Sequence, residues 1–215
     1  VTIHRNQPVD ITSFVDNPDK KTLPVITWTL SERAAGYMTL AGTNLTGTAI
    51  TVEYVELNWQ CGNQEGTLYV MVDAPATNFI WNQPYFTAPL QGALTIAVGD
   101  NVTLRNVLEN EYTLEPGDAT TNFPIWGWTS SNEDIIFNGQ GEFVVKTKGT
   151  VTLTGHADDD CGLEPKLTVT VEQPVTAIRL NYAQIYAEVG SDITALLNNL
   201  KGAATVIPDD ADNKE

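Results

Sequence analysis

The chain has 215 residues, of which 42% are hydrophobic, so it can form real cores and is not a disordered tail. It has 11 Lys and Arg against 27 Asp and Glu, a formal net charge of −16 at pH 7. This charge disfavours nucleic acid and anionic membranes, which are bound mainly through Lys and Arg. No apolar run is long enough to span a bilayer. The chain begins at Val1 without a signal peptide, which we interpret as a processed product or a part of a longer protein.

Two landmarks recur along the chain at one spacing. Trp28 and Trp128 are 100 positions apart (128 − 28), and so are Cys61 and Cys161 (161 − 61). The segment TLYVMVDAPAT after the first cysteine corresponds to KLTVTVEQPVT after the second. A repeat of about this length is one domain. We therefore predict repeat 1 at 1–75, lacking its N-terminal part, repeat 2 at 76–173, and repeat 3 at 174–215, with only the first strands of a domain.

Alternating apolar residues predict strands in every repeat. In repeat 1, residues 49–58 alternate so that Ile50, Val52, Tyr54 and Glu56 are expected on one face. Repeat 2 has seven predicted strands, at 93–98, 102–108, 125–129, 134–137, 142–147, 150–156 and 166–172. Seven short strands are typical of a two-sheet sandwich.

Repeat 3 follows the start of repeat 2, since residues 189–213 correspond to 98–122. Its run ITALLNNL (193–200) fits either a strand or a helix face, and the repeat favours a strand. Part of a sandwich cannot bury its own face. Residues 174–215 are therefore expected to pack on repeat 2, to stay mobile or to pair with another chain, unless they simply mark an ordinary chain boundary.

Repeat 2 carries a set of motifs that resembles a known family. They are VGD (98–100), PGDAT (116–120), WTSSNEDI (128–135), KGTVTLTGHADD (148–159) and the closing LTVTV (167–171). Together they resemble the bacterial immunoglobulin-like domain of group 2, the module of intimin- and invasin-type surface proteins. Repeat 3 is similar to the first half of this module, and repeat 1 shares ITWTLSE (26–32) and its closing strand.

The resemblance implies an all-β chain of tandem immunoglobulin-like Greek-key β-sandwiches, the last one incomplete. It implies an extracellular stalk or binding module, not an enzyme, and supplies no catalytic residues. The segments between repeats, DAPAT (73–77) and EQPVT (172–176), are short, and each contains a proline. Because proline fixes φ and removes a hydrogen-bond donor, these segments predict stiff joints.

The five tryptophans divide into two groups. Trp28 and Trp128 lie at equivalent positions in a predicted third strand, where a sandwich core requires one large residue. Trp59, Trp81 and Trp126 break the repeat and are candidate ligand-stacking residues, although such aromatics often only pack. Trp126 and Trp128 are expected to share a strand face unless a bulge intervenes at Gly127.

The two cysteines are predicted not to bond to each other. Cys61 and Cys161 are about one domain apart, well beyond the Cα separation of about 7 Å that a disulfide allows. They are interpreted either as free thiols or as thiols that pair between chains of an assembly.

One acidic turn is a candidate metal site. Asp158, Asp159 and Asp160 are expected near Asp73, and converging carboxylates suit Ca²⁺, which prefers six to eight oxygen ligands. The alternative is a solvated acidic loop. No other cofactor is predicted, because the sequence has no His/Cys metal motif, phosphate-binding loop or nucleophile turn.

The sequence thus predicts a non-catalytic segment of a bacterial cell-surface or secreted multi-domain protein, acting as an adhesive stalk, spacer or binding module. Expected partners are copies of the chain, neighbouring immunoglobulin-like domains, or a host surface protein or glycan. Two alternatives stay open: a subunit of an extracellular filament or phage particle, located at the virion surface, and a carbohydrate-binding accessory module.

Overall fold

The computed structural model describes residues 1–16, 25–139, 142–159, 161–181, 186, 188–190, 192, 194 and 204–212. Within these residues the regular structure is mostly β-strand, with one short α-helix and three 3₁₀ turns. It divides into two compact units. Unit 1 comprises residues 1–78, 114–122 and 159–162, and unit 2 comprises 79–113, 123–158 and 163–215. These units interleave along the chain, so the predicted boundaries at 75/76 and 173/174 stay a prediction.

Unit 1 contains two sheets that share one core. The first sheet has the order β1 (Thr2–His4), β7 (Gln64–Asp73), β6 (Val55–Cys61) and β3 (Thr27–Leu30). The β1–β7 pair is parallel and the other pairs are antiparallel. The second sheet has the order β2 (Pro8–Asp10), β5 (Asn44–Gly47) and β4 (Met38–Ala41). Ile3, Leu57 and Val72 of the first sheet pack in one buried cluster with Met38 and Leu45 of the second.

The strand predicted at 49–58 begins only at Val55. Val55 and Leu57 are buried, whereas Val52 and Tyr54 are exposed. The backbone N–H of Thr51 donates to the Val72 carbonyl (3.0 Å), and its hydroxyl accepts from the Val72 N–H (2.9 Å). These bonds hold the chain in a bend before β6, so residues 51–54 do not continue the strand.

Unit 2 is built on a five-stranded sheet. Its order is β12 (Trp128–Ser130), β15 (Gly149–Gly155), β16 (Lys166–Glu172), β10 (Gln91–Ala97) and β9 (Phe86–Ala88). The β10–β16 pair is parallel. Two two-stranded pairs also lie in unit 2: β13 (Ile136–Gly139) with β14 (Glu142–Val145), and β17 (Ala177–Leu180) with β18 (Ala204–Ile207). β8 (Asn78–Trp81) pairs with β11 (Tyr112–Glu115). The predicted strands at 93–98, 134–137, 142–147, 150–156 and 166–172 are found, and the all-β, immunoglobulin-like sandwich class is confirmed.

The strand predicted at 102–108 is instead a helix, α1 (Asn101–Asn110). Asp100 caps it, since its carboxylate accepts from the Thr103 N–H at 3.1 Å. Its buried residues are Leu104, Val107 and Leu108, the spacing of one helical face. The similar run at 193–200 lies outside the described residues, apart from Thr194.

Aromatic side chains fill the core of unit 2. Trp128 is 1% exposed, so its predicted core role is confirmed. Its ring lies 5.7 Å from that of Trp81 and 6.4 Å from that of Phe123, and Phe79 packs edge-on to Trp81 at 5.0 Å. Gly155 makes room for this packing, because a Cβ there would lie 2.9 Å from the Trp128 ring.

Candidate functional site

The three candidate ligand-stacking tryptophans lie in three different environments. Trp81 is 1% exposed, and its indole N–H donates to the Lys166 carbonyl at 3.1 Å. A ligand role for Trp81 is therefore wrong, because the ring is a core residue of unit 2. Trp126 is 68% exposed and stays accessible to a ligand.

Trp126 and Trp128 do not share a face. Residues Ile125–Gly127 form a 3₁₀ turn, and the strand begins only at Trp128. Gly127 is held tightly, because its N–H donates to the Pro124 carbonyl (2.8 Å) and a Cβ on it would lie 2.5 Å from the His156 carbonyl oxygen. Because of this turn, the Trp126 side chain lies in solvent and the Trp128 side chain packs in the core.

Trp59 lies half-buried in β6 on the same side of the sheet as the core residue Leu57. It pairs with Trp28 on one neighbouring strand and with Gly66 on the other. A Cβ on Gly66 would lie 2.7 Å from the Trp59 ring, so the indole covers this glycine. Trp28 is also half-buried and packs against the core rather than filling its centre.

Neither Cys61 nor Cys161 forms a disulfide bond. Cys61 ends β6, and Cys161 follows the acidic turn. Both are partly exposed, and their pairing between chains stays a prediction.

The predicted calcium ligands make hydrogen bonds with protein groups. Asp73 Oδ1 lies 2.6 Å from His4 Nδ1. Asp159 accepts from the Thr121 hydroxyl at 2.5 Å and from the Cys161 N–H at 3.1 Å. Asp158 belongs to unit 2, and Asp160 lies outside the described residues. Over the described ranges no group of three or more His, Cys, Asp or Glu is arranged to hold a metal ion, so the calcium site stays a prediction.

A feature that sequence reasoning only partly anticipated is the hydrogen bonding of residues 73–77, here called the first connector. The Ala74 N–H donates to the Thr120 hydroxyl (3.0 Å), and the Thr120 N–H returns a bond to the Ala74 carbonyl (2.8 Å). The Ala76 N–H donates to the Thr121 hydroxyl at 2.6 Å. The Thr77 N–H donates to the Glu115 carbonyl at 2.7 Å. All these residues belong to unit 1.

An ion pair reinforces the first connector within unit 1. The Arg5 N–H donates to the Asp73 carbonyl at 2.8 Å. The Arg5 guanidinium makes two bonds to the Asp118 carboxylate, at 2.5 and 2.9 Å. This bidentate contact between guanidinium and carboxylate lowers the pKa of Asp118 below its usual value, because the Arg5 hydrogen bond favours the ionised form.

The second connector, residues 172–176, repeats three of these N–H bonds within unit 2. The Gln173 N–H donates to Asp212 Oδ2 (2.5 Å), and the Asp212 N–H donates to the Gln173 carbonyl (3.0 Å). The Thr176 N–H donates to the Ile207 carbonyl at 2.8 Å. Lys148 supplies the cation: its ammonium donates to the Asp210 carbonyl and lies 3.8 Å from the Asp210 carboxylate.

The two connectors match position by position. Ala74 corresponds to Gln173, Thr77 to Thr176, Glu115 to Ile207, Asp118 to Asp210 and Thr120 to Asp212. In both, a cation from a preceding segment reaches the matched aspartate. The recurring Pro, Asp and Ala of PGDAT (116–120) and PDDAD (208–212) were the sequence signal for this arrangement.

Within the described residues, no helix has the length and apolar character needed to cross a membrane.

The fold places the chain in the class of immunoglobulin-like β-sandwich modules, and comparison with known proteins adds only distant likeness. No family model matches the chain, and no curated protein matches it. The resemblance to the group 2 family therefore stays a prediction.

Solved structures similar to the chain include domains 4 and 5 of the S-layer protein SbsC, with 15% identity, a TM-score of 0.24, and coverage of 68% of this chain and 70% of that one. Invasin, a bacterial integrin-binding protein, has 11% identity and a TM-score of 0.28, and the match covers 78% of this chain and 34% of invasin. Human protocadherin-24 EC1-2 has 13% identity and a TM-score of 0.26, with 81% and 94% covered. Likeness at this level identifies neither a family nor a function.

Proposed function

We propose that the chain is a non-catalytic segment of a bacterial cell-surface or secreted multi-domain protein, where it acts as a stiff extracellular spacer. The observation that carries this proposal is the connector arrangement, in which three matching N–H bonds hold each connector, the first within unit 1 and the second within unit 2. A spacer keeps its modules at fixed separations. Whether it can do so depends on how rigid the connecting segments are.

The hydrogen bonds of the first connector support stiffness. A flexible linker leaves its backbone groups to water and samples many conformations. Here the N–H groups of Ala74, Ala76 and Thr77 and the carbonyls of Asp73 and Ala74 all have protein partners. Each such bond contributes about 0.5–1.5 kcal/mol net, so releasing the whole segment costs several kcal/mol.

The charge supports an extracellular setting. A net charge of −16 keeps a long array soluble and disfavours adhesion to nucleic acid or anionic lipid. The partners of such a segment would be neighbouring immunoglobulin-like domains or further copies of the chain, with adhesion supplied by an exposed face.

The proposal is tested by the distribution of distances between one spin label on each unit, measured by double electron–electron resonance. Thr39→Cys in β4 and Thr168→Cys in β16 are exposed labelling positions, used after both native cysteines are replaced by serine. The expected result is a single narrow distribution. A broad or multimodal distribution in the otherwise native chain would contradict the proposal.

A matched pair of variants assigns the stiffness to the connector. Thr120→Val with Thr121→Val removes two hydroxyl acceptors of the first connector and is expected to broaden the distribution. Arg33→Ala breaks the exposed Arg33–Glu53 ion pair elsewhere in unit 1 and is expected to leave the width unchanged. Equal widths in all three proteins would show that the connector bonds do not set the stiffness.

A further inference from the structure

The outer face of the four-stranded sheet in unit 1 carries two rows of polar side chains. This face is opposite to the one that carries the core residues Leu57 and Val70. Cross-strand pairing places Thr29, Asn58 and Thr67 in one row, and Thr27, Gln60 and Glu65 in the next. Together they line an open hollow of about 570 Å³. The Thr67 hydroxyl donates to the Asn58 side-chain oxygen at 3.0 Å, which fixes this amide in the hollow.

A second hollow continues along the same strand. It also has a volume of about 570 Å³, and Ser31, Arg33, Tyr54 and Glu56 are among its lining residues. Since β6 contributes to both hollows, they lie one after the other along this strand. Residues 54–60 span about 20 Å at about 3.4 Å per residue, so the two hollows together suit an extended chain rather than a compact small molecule.

Two exposed tyrosines accompany these hollows. Tyr54 is 51% exposed and lines the second hollow, and Tyr69 is 55% exposed. Tyr69 pairs with Glu56, so it lies on the same face as Asn58 and Thr67, one strand step away. The electron-rich faces of such rings attract the C–H groups of pyranose sugars, while hydroxyl and amide groups exchange hydrogen bonds with sugar hydroxyls.

The charges of this face select against anionic ligands. Glu32, Glu56 and Glu65 line the hollows, and among the lining residues the cation is Arg33, which is paired with Glu53 at 2.8 Å. A sulfated or carboxylated polymer would meet like charge. A neutral ligand meets acceptors that suit its hydroxyl groups.

We propose that this face, defined by the two hollows and Tyr69, binds a neutral polysaccharide chain that lies along β6. The site is separate from the connectors, so binding does not depend on the spacer role. If the chain is stiff but binds no glycan, only the glycan inference is overturned. If the chain is flexible but binds a glycan, only the proposed spacer function is overturned.

The test is native affinity electrophoresis of the whole chain in gels that contain one soluble polysaccharide each. The neutral probes are mixed-linkage β-glucan, galactomannan, arabinoxylan and dextran, and heparin is the polyanionic probe. At least one neutral polymer is expected to slow migration, and heparin is not. No retardation by any neutral probe, or retardation by heparin alone, would overturn the inference.

Variants then locate the site. Tyr54→Ala with Tyr69→Ala is expected to weaken binding about tenfold or more, and Asn58→Ala to weaken it while both rings remain. Trp126→Ala removes an exposed aromatic ring from unit 2 and serves as the matched control, with binding expected to stay unchanged. Melting curves check that each variant is folded. Binding that survives the double tyrosine substitution, or that is lost with Trp126, would refute the assignment to this face.

Discussion

Thr121→Val tests the first connector with a minimal change of shape. Thr121 is 6% exposed, and its hydroxyl accepts from the Ala76 N–H at 2.6 Å and donates to Asp159 at 2.5 Å. Valine has nearly the same volume but offers neither bond. The substitution leaves the N–H of Ala76, itself 2% exposed, buried without an acceptor.

The expected loss of stability follows from that orphaned donor. An unsatisfied buried donor costs about 1–3 kcal/mol. Asp159 is only partly buried, so water can replace its lost donor at lower cost. We expect the free energy of unfolding to fall by about 2 kcal/mol, and the Tm by about 4–8 °C for a chain of this length. Urea denaturation followed by far-UV circular dichroism measures the first quantity, and calorimetry the second.

Thr121→Ser is the control, because it keeps the hydroxyl and removes one methyl group. It is expected to cost about 0.8 kcal/mol. If the valine and serine variants have the same stability within about 0.5 kcal/mol, the hydroxyl does not stabilise the connector and the reasoning is refuted.

Further predictions concern the core, the helix and the ion pair. Trp128→Ala should lower the free energy of unfolding by about 3–5 kcal/mol in urea, since the ring fills the core of unit 2. Gly155→Ala should lower the free energy of unfolding by about 1–3 kcal/mol by the same measurement, because the added Cβ would clash with the Trp128 ring. An unchanged free energy of unfolding would show that the core can rearrange around the added methyl group. Asp100→Ala should cost about 1 kcal/mol and Asp100→Asn much less, because asparagine also caps helices. Asp118 has a lowered pKa in the folded chain, so its stabilising effect is present above about pH 3.9, the usual value of an unfolded Asp, and is lost as pH falls through the lower folded pKa. The stability difference between the native chain and Asp118→Asn should therefore be full at pH 7 and shrink as the pH falls through the lowered folded pKa of Asp118. A difference that grows in acid would contradict this prediction.

The strands of unit 2 were predictable where the apolar residues fit the two-residue period of a strand and not the period of a helix. Residues 150–156 and 166–172 alternate strictly, with Val151, Leu153 and Val169 inside, and no helical spacing competes. Residues 102–108 were ambiguous, because Val102 and Leu104 fit alternation while Leu104, Val107 and Leu108 fit a helical face. The capping signal of Asp100 before Thr103 decides for the helix and was present in the sequence.

The tryptophans show why departure from a repeat does not imply function. Trp81 has no counterpart in repeat 1, yet it packs against Trp128 and satisfies its N–H inside unit 2. Trp126 was expected beside Trp128, but the turn at Gly127 separates their directions. The direction of a side chain at the end of a strand depends on the turn that precedes the strand. The alternation of apolar residues alone does not predict that direction.

The candidate sites lie mostly beyond sequence reasoning because tertiary pairing creates them. Arg5 and Asp118 are 113 positions apart, and no local pattern joins them. The recurring PGDAT and PDDAD motifs indicated a repeated turn but not its partners. The polar face of β3, β6 and β7 depends on where β6 begins. The sequence predicted a strand from residue 49, but the bonds of Thr51 to Val72 delay its start to Val55.

Amide hydrogen exchange of the first connector tests the central claim most directly. The amides of Ala74, Ala76 and Thr77 are hydrogen-bonded in unit 1, so they are expected to exchange as slowly as those of the central strand β16. Exchange as fast as that of the exposed bend at Val52 would contradict the claim, because it would mean that the connector is an open linker in solution.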